Sequence, residues 1–385
     1  AGELGEVFRG LLAILHGGES LAFRPEWWYW NASRIMAHGE ISEFPFFSFL
    51  LGDNHPHVLA LPFILLALAL ALNVLLSTRH PVTEEEGASW WRRLSDGLWG
   101  GWAGDIPLWG LLLGALGFLN TWDYPIYLGI FVLAYAVRRA REYPPGDRGW
   151  LTDALALGFV LGGLGLVLYL PFYLGFRSQA GGLGMTGDIR TRPHQFLLMF
   201  GTQIVLVGGY LVELAARTGR RLPRAAWIAG GVGLALALVC LVLGWWTAAL
   251  GLALAGLAGA LALSAVSTHA PPVAEQEPAA AGAVTRSTDP TVLSLLMVVA
   301  ALLLTTAVEF IFLRDTFGTR MNTVFKFYYQ AWVLLSLAGA YGVYHVVVST
   351  PRDSLARLAL TGWLAAGGLL LVAALTYPAA ATVSK

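Results

Sequence analysis

The chain has 385 residues, of which 57% are hydrophobic and only 12% are charged, with a mean hydropathy of +0.64 and no net charge. Soluble domains carry about 25% charged residues, so this composition excludes an ordinary soluble protein and indicates an integral membrane protein. The neutral balance offers no basic surface for nucleic acid, and the single cysteine, Cys240, excludes a disulfide framework and a CxxC metal site.

The first segment with a clear character is FRPEWWYWNASRIM, over residues 23–36. Trp and Tyr rings prefer the headgroup level of a bilayer, so we predict an interfacial segment. The chain begins with Ala1, and no secretory signal pattern opens it. We therefore expect a fragment or a processed product, and the upstream part is one candidate partner.

Apolar runs of about 20 residues predict transmembrane helices along the rest of the chain. The runs that begin at 106 and 124 are short, and Asn120 to Pro125 interrupts them, which indicates broken or re-entrant segments. The GWW at 244–246 predicts a tight turn in a long apolar run. The sequence thus predicts an all-α polytopic bundle of about nine or ten transmembrane helices, over residues 57–76, 106–119, 124–137, 152–174, 195–216, 225–243, 246–266, 292–313, 325–348 and 357–377.

A polar stretch rich in Pro and Ala, at 267–290, is typical of a flexible linker. It divides the chain into four predicted parts. These are an outer-face segment over 1–56, a transmembrane block over 57–266, the linker on the cytoplasmic side, and a C-terminal block of transmembrane helices over 291–385.

The placement of arginine predicts the orientation. The segments 138–148 and 217–224 carry four arginines each and should be cytoplasmic. Counting helices outward from them places four polar segments on the outer face, each just before a helix that runs inward. Helix N-termini carry unsatisfied N–H groups and positive dipole ends, so this arrangement suits an anion such as phosphate. The four segments are GDNHPH (52–57), NTWDYP (120–125), the loop 175–194 and DTFGTRMNTVFK (315–326).

Asp53, His55 and His57 alternate in the first of these segments. Pro56 biases His55 toward an extended backbone, in which side chains two residues apart share a face. One carboxylate and two imidazoles could bind a divalent metal, with Mg²⁺ and Mn²⁺ as the candidates. Two other interpretations stay open: proton transfer or hydrogen bonding to a substrate, and capping of the next helix by Asn54 or Asp53.

Two further acids are candidate bases. Glu43, flanked by Phe and Pro, has a raised pKa if it is buried, and is otherwise a solvated loop residue. Asp123 and Asn120 lie between two apolar runs beside aromatic residues, which suit the face of a sugar. The alternative is a polar turn in which Asp123 caps the helix that starts beyond Pro125.

Cations mark the last two polar segments. Arg190 and Arg192, followed by His194, could bind a phosphate in a bidentate manner, or they are simply solvated. Lys326 is one of only two lysines in the chain, and it falls in the predicted first turn of a helix. A cation there opposes the helix dipole, so it needs an anionic partner.

The partner of Lys326 is either Glu309, Asp315 or a bound phosphate. Tyr329 and Gln330 follow three and four residues later and share its helix face. An ionisable residue at membrane depth is a functional candidate, and a structural ion pair between two helices is the alternative.

Four strings carry a resemblance to a known family: RPEWWYWNASRI, ISEFPFFSFLLGDNHPHVLALPF, GALGFLNTWDYPIY and LRDTFGTRMNTVFKFYYQAW. They closely resemble the prokaryotic polytopic "YYY" membrane-protein family, a family of unknown function, over roughly residues 23–345. That family is distantly similar to the GT-C glycosyltransferases, which take a sugar from a polyprenyl-phosphate carrier on the extracytoplasmic face.

The resemblance implies a GT-C-like bundle in a prokaryotic cytoplasmic membrane, with or without a divalent metal. Outer-face residues would act as base, and cations would hold the lipid phosphate. The residues picked out in the polar segments agree with this mechanism. The candidate catalytic residues are Asp53, Asp123, Glu43 and His55, and the candidate phosphate ligands are Arg190, Arg192, Arg320 and Lys326, with Asn120, Tyr329 and Gln330 beside them and Glu309 and Asp315 in support.

Two features typical of these families are not recognisable in the chain: a key acid in the first outer loop and a tyrosine-rich signature near the start. We expect both in a missing N-terminal part. Two other functions stay open, a transporter of anionic lipids and a structural subunit that binds other membrane proteins. Helix interiors of Gly, Ala, Leu and Val favour a one-sided site over a transport path, although the 45 glycines also suit a tightly packed subunit.

Overall fold

The computed structural model describes residues 29–77, 94, 105–144, 146–178, 180–218, 222–268, 290–350 and 354–385. Helices make up nearly all of this part of the chain, which confirms the predicted all-α polytopic class. A short antiparallel pair of strands, β1 (Leu183–Met185) and β2 (Ile311–Leu313), joins two loops. The helices are α1 (Pro45–Leu51), α2 (Pro56–Leu59), α3 (Leu61–Leu76), α4 (Asp105–Leu119), α5 (Asp123–Glu142), α6 (Gly149–Leu168), α7 (Leu170–Gly175), α8 (Pro193–Thr218), α9 (Arg224–Val242), α10 (Trp246–Thr268), α11 (Thr291–Ala307), α12 (Met321–Ser349) and α13 (Ser354–Ser384).

Seven stretches in the described ranges are long and apolar enough to cross a membrane. Two shorter apolar helices, α4 and α11, accompany them. Each of the ten predicted runs corresponds to a helix, but α5, which contains the run 124–137, is in neither of these two groups. The seven stretches are Pro56–Leu76, Gly149–Leu168, Pro193–Thr218, Arg224–Val242, Trp246–Ser267, Met321–Ser349 and Ser354–Ser384.

Three details of the predicted helices are wrong. The run 152–174 breaks at Tyr169, because Pro171 cannot continue the hydrogen-bond ladder of α6. The run 292–313 stops at Ala307, and its end forms β2, because β1 offers a pairing partner. The run that begins at 124 is neither short nor broken, since α5 continues through the first half of the predicted arginine loop to Glu142.

Glycines bring helices into close contact at two crossings. A Cβ on Gly114 would lie 2.7 Å from Cα of Gly165, so α4 and α6 touch through their backbones. A Cβ on Gly233 would lie 2.5 Å from Cα of Gly256, which holds α9 against α10 in the same way. Small residues at such contacts are how membrane helices gain packing without a hydrophobic driving force.

The predicted turn between α9 and α10 is confirmed. Gly244 has φ of 77°, a left-handed conformation that other residues adopt at a cost, and α10 begins at Trp246. The N–H of Trp245 donates to the carbonyl of Cys240 at 2.7 Å, which closes the end of α9.

The segment from Tyr29 to Phe44 contacts the start of α8 and the last turns of α13. Gln195 Nε2 donates to the carbonyl of Ile35 at 3.1 Å, and the Tyr377 hydroxyl donates to the carbonyl of Tyr29 at 3.1 Å. The predicted interfacial segment is described only from residue 29, and most of the predicted linker, 269–289, lies outside the described residues. The division into four parts therefore stays a prediction.

Candidate functional site

The four polar segments, far apart in sequence, meet at one end of the helix bundle. Arg320, just before α12, binds Glu40 and Glu309, and it also donates to the Thr191 hydroxyl in the loop before α8. Lys326 lies over the ring of Trp122, which precedes α5. The structure thus gathers residues from all four segments into a shared region.

The GDNHPH segment folds as an extended turn that leads into α2. His55 is the N-cap with φ −66° and ψ 156°, and Pro56 is the first helical residue. Asp53 Oδ1 accepts from the backbone N–H of His55 at 3.0 Å and also contacts Nδ1 of that ring. The predicted capping of α2 by Asn54 or Asp53 is therefore wrong, because no side chain caps this helix. The Asp53 carboxylate instead accepts from the backbone N–H of His55, in the turn before the helix begins.

His57 points inward while His55 faces outward. The His57 side chain is 5% exposed, compared with 71% for His55, because residue 57 has already entered α2. Its Nε2 lies 3.5 Å from Asp53 Oδ2. Its ring packs edge-on against Phe325 and Tyr329 of α12, with centroid distances of 4.5 and 4.7 Å. The two aromatic rings fix the orientation of the imidazole.

Glu43 joins this group from the preceding segment. Its carboxylate is buried, and Arg34 Nη1 lies 3.3 Å from its Oε1. Burial raises the pKa of Glu43, although Arg34 lowers it in part. One ligand atom each from Glu43, Asp53 and His57 lie within 4.8 Å of one another. These three residues are called the carboxylate–histidine cluster below.

Asp123 is the first residue of α5, and the N-cap is Trp122. The predicted capping role of Asp123 is therefore wrong, because the helix starts before Pro125 rather than beyond it. Among the described residues, no hydrogen-bond partner is found for either buried carboxylate oxygen of Asp123 or for the buried side-chain nitrogen of Asn120. Burial raises the pKa of Asp123 to about 7, and its neighbours Asn120 and Lys326 limit that rise.

Lys326 is the sixth residue of α12, in the second helical turn rather than the predicted first. Its ammonium lies 5.5 Å from the centroid of the Trp122 ring. Of the two acids proposed as partners, Glu309 binds Arg320 at 3.0 Å, and Asp315 accepts from Asn322 Nδ2 at 2.8 Å. Within the described ranges, no carboxylate lies within 4 Å of the ammonium. Asp315 nevertheless lines the same cavity as Lys326, and a bound anion as the third possible partner stays a prediction.

A cavity of about 440 Å³ opens beside Lys326. Its wall combines two cations, two amides, one carboxylate and several aromatic rings. Arg177 and Asn322 belong to this wall, and the sequence reasoning missed both. Arg177 follows α7 in a predicted outer loop, and this position in the sequence could have marked it as a candidate site residue. The polar and aromatic lining residues include Asn120, Trp122, Phe118, Phe172, Arg177, Asp315, Asn322 and Lys326.

Tyr329 and Gln330 lie on two different sides of α12. Tyr329 packs on His57, in the carboxylate–histidine cluster. Gln330 Oε1 accepts from the Tyr127 hydroxyl at 2.6 Å, and its Nε2 is buried without a partner. Because Tyr127 lies one turn after Asp123, a buried polar row of Asp123, Tyr127 and Gln330 stands behind Lys326.

Arg320 and Glu309 form a closed network with Glu40. Arg320 is 2% exposed, its Nε donates to Glu40 Oε1 at 2.9 Å, and its Nη1 donates to Glu309 Oε1 at 3.0 Å. The backbone N–H of Thr191 donates to Glu309 Oε2 at 2.9 Å. Arg320 and Glu309 therefore form a structural ion pair, the alternative that the sequence analysis gave. We leave Arg320 out of the proposed anion site.

Arg190 and Arg192 do not line the cavity. Arg190 lies over the ring of Trp245 at 4.9 Å and donates to the carbonyl of Leu243 at 3.0 Å. Arg192 and the neighbouring His194 are exposed. Phosphate binding by this arginine pair stays a prediction.

Residues 1–335 match the family described as Uncharacterized membrane protein (DUF2298). The chain belongs to the DUF2298 family. No match was found among the curated proteins or among the solved structures. Family membership confirms the part of the sequence resemblance that pointed to a membrane family of unknown function. The matched region of this DUF2298 protein includes every residue of the cluster and the cavity.

The DUF2298 site combines three chemical capacities at one end of a membrane bundle. The carboxylate–histidine cluster has the ligand atoms that a divalent cation needs. Lys326 and Arg177 supply positive charge at the cavity wall. Asp123 has a pKa near neutrality, which suits an exchange of protons at physiological pH.

Proposed function

We propose that this DUF2298 protein is a membrane glycosyltransferase of the GT-C type. It takes a sugar from a polyprenyl-phosphate carrier on the extracytoplasmic face of a prokaryotic cytoplasmic membrane. The observation that carries the proposal is Lys326, a half-buried ammonium at the wall of a 440 Å³ cavity with no carboxylate within 4 Å in the described part of the chain. A half-buried cation without an ion-pair partner is costly, so the site favours an anionic ligand.

The cavity wall suits a phosphate joined to a sugar. Lys326 and Arg177 can share the phosphate charge, and Asn120 and Asn322 offer amides to sugar hydroxyls. The rings of Phe118 and the neighbouring aromatic residues provide apolar faces for the sugar and for the first units of the lipid. The volume lies in the range of about 300–1,000 Å³ that is usual for small-molecule sites.

Asp123 is the base in this proposal. Its carboxylate is buried next to the wall residues Asn120 and Lys326 but does not itself line the cavity, so the proposal requires it to become accessible when the substrates bind. The bond between the anomeric carbon and the phosphate oxygen breaks, and the acceptor oxygen forms the new bond to that carbon. The acceptor proton passes to the Asp123 carboxylate, and the charge on the leaving polyprenyl phosphate is held by Lys326. A carboxyl group with a pKa of about 7 is ionised often enough to accept this proton and basic enough to hold it.

Purified full-length protein in detergent tests the proposal. Polyprenyl phosphate and hexose-charged polyprenyl phosphate should raise the midpoint of thermal unfolding in a saturable manner. Lys326→Gln should lose this stabilisation, whereas Lys385→Gln, at the other lysine of the chain, should keep it. If no lipid phosphate stabilises a well-folded sample, the transferase proposal fails, and a structural subunit of a membrane complex becomes the better account.

A further inference from the structure

We infer that Glu43, Asp53 and His57 form a binding site for one divalent metal ion, with Mn²⁺ as the best-suited ion. The inference concerns metal binding itself and does not depend on sugar transfer. It changes the ligand set suggested by the sequence, because Glu43 takes the place of His55.

The positions of the three ligand atoms support the site. They lie within 4.8 Å of one another and come from three separate points of the chain: the loop before α1, the turn after it, and α2. Metal–ligand bonds of about 2.0–2.2 Å place neighbouring ligand atoms roughly 3–4 Å apart. Small side-chain rotations therefore suffice to bring all three onto one ion.

His57 provides a second, independent observation. His57 is 4% exposed, and its buried Nε2 makes no hydrogen bond within the described part of the chain, although Asp53 Oδ2 lies 3.5 Å away. A buried polar atom without a partner costs about 1–3 kcal/mol, so such atoms are rare in folded proteins. A metal ion bound to Nε2 removes that cost, and the rings of Phe325 and Tyr329 already hold the imidazole in place.

Neighbouring groups orient the two carboxylates. Arg34 contacts Oε1 of Glu43, and the backbone N–H of His55 contacts Oδ1 of Asp53. These contacts engage one oxygen of each carboxylate, and the other oxygen of Asp53, Oδ2, lies 3.5 Å from His57 Nε2. The exposed His55 ring also contacts Asp53 Oδ1, so His55 is an outer partner that positions a ligand rather than a ligand itself.

The ligand types favour Mn²⁺. Two carboxylates and one imidazole form a mainly oxygen site, which suits Mg²⁺ and Mn²⁺, while the nitrogen ligand favours Mn²⁺ over Mg²⁺. Three protein ligands leave further coordination positions for water or for an oxygen of a substrate.

Manganese binding to the full chain tests the inference. Metal-free protein is titrated with Mn²⁺ in the absence of lipid phosphate, and free Mn²⁺ is followed by its electron paramagnetic resonance signal. We expect about one tight Mn²⁺ per chain, and we expect His57→Gln to weaken binding about tenfold or more. His345→Gln is the matched control, since His345 also lies beside a carboxylate, 3.7 Å from Glu213, away from the cluster.

Glu43→Gln serves as a second variant in case His57→Gln does not fold, as judged by thermal unfolding. Full-strength binding by both folded variants, or no saturable binding by the wild-type protein, would overturn the inference. A protein that binds Mn²⁺ but no polyprenyl phosphate would keep the metal site and lose the proposed transferase function, so the two failures are distinguishable.

Discussion

The two ends of α5 differ in whether their buried charged side chains have ion-pair partners. At its start, the Asp123 carboxylate is buried, and neither oxygen has a hydrogen-bond partner in the part of the chain that the structure describes. At its end, Arg139 Nη2 lies 2.7 Å from Asp153 Oδ2, and Arg139 Nη1 lies 2.6 Å from Glu142 Oε2. The Tyr143 hydroxyl donates to the same oxygen of Asp153 at 2.7 Å.

The difference separates a structural role from a functional one. A buried ion pair with good geometry offsets the cost of removing its charges from water, so the network around Arg139 needs nothing beyond the protein. A buried carboxylate beside a cation without a salt bridge leaves that cost in place. We propose that a ligand completes the site around Asp123 and Lys326, whereas the Arg139 network is complete in the protein itself.

The largest effect is expected from Arg139→Met. Removing the guanidinium takes a buried cation away from Asp153, which keeps its hydrogen bond from Tyr143, and from Glu142, which keeps Arg138. Losing one partner of such a buried ion pair costs about 3–5 kcal/mol of unfolding free energy. The measurement is unfolding by a denaturing detergent. Arg217→Met is the control. The Arg217 side chain is 42% exposed, so the loss of its pair with Glu213 should lower the free energy of unfolding by less than about 1 kcal/mol. Equal effects would contradict the account of the paired end.

The opposite sign is expected from Asp123→Asn. The pKa of Asp123 in the folded protein is about 7, above the ordinary value of 3.8, so ionisation destabilises the fold increasingly from about pH 4 to pH 7. The asparagine variant should match the wild-type free energy of unfolding at about pH 3.5 and exceed it by about 1–3 kcal/mol at pH 8. Lys326, Asn120 and Tyr127 face this carboxylate and remain unchanged. A difference that does not vary with pH would sink the idea.

A smaller loss is expected from Tyr143→Phe. The change removes one hydrogen bond to the Asp153 carboxylate but leaves its contact with Arg139, so the cost should be about 1–2 kcal/mol. Tyr344→Phe is the control, since Tyr344 is 65% exposed and its change should stay within about 0.5 kcal/mol. Thermal unfolding of both variants under the same conditions checks the difference.

Most of the fold follows from the sequence because apolar length alone specifies a membrane helix. The runs near 225–243 and 246–266, and the Gly244 turn between them, needed no tertiary information. The end of α11 could not be predicted without tertiary information, because β2 forms only where the distant β1 pairs with it. The last residues of α5, from residue 138 onward, were predicted to belong to a cytoplasmic loop, because the sequence alone does not show that Arg139 contacts Asp153.

The site was only partly predictable for the same reason. Glu43, Asp53 and His57 are close in sequence, and all three were candidates before their geometry was known. Arg320 was assigned to phosphate binding because its partner Glu40 lies 280 residues away and no pattern joins them. Arg177 was missed, because an exposed arginine in a loop differs from its neighbours only once the cavity is visible.

We propose above all that the cavity beside Lys326 holds a lipid phosphate. The most direct measurement is a cryo-electron microscopy structure of the protein in lipid nanodiscs with polyprenyl phosphate added. The account predicts density for the phosphate within hydrogen-bonding distance of Lys326 Nζ, with the first lipid units along Phe118 and Phe172. A phosphate bound elsewhere, or a Lys326 ammonium paired with a protein carboxylate while the cavity stays empty, would contradict it.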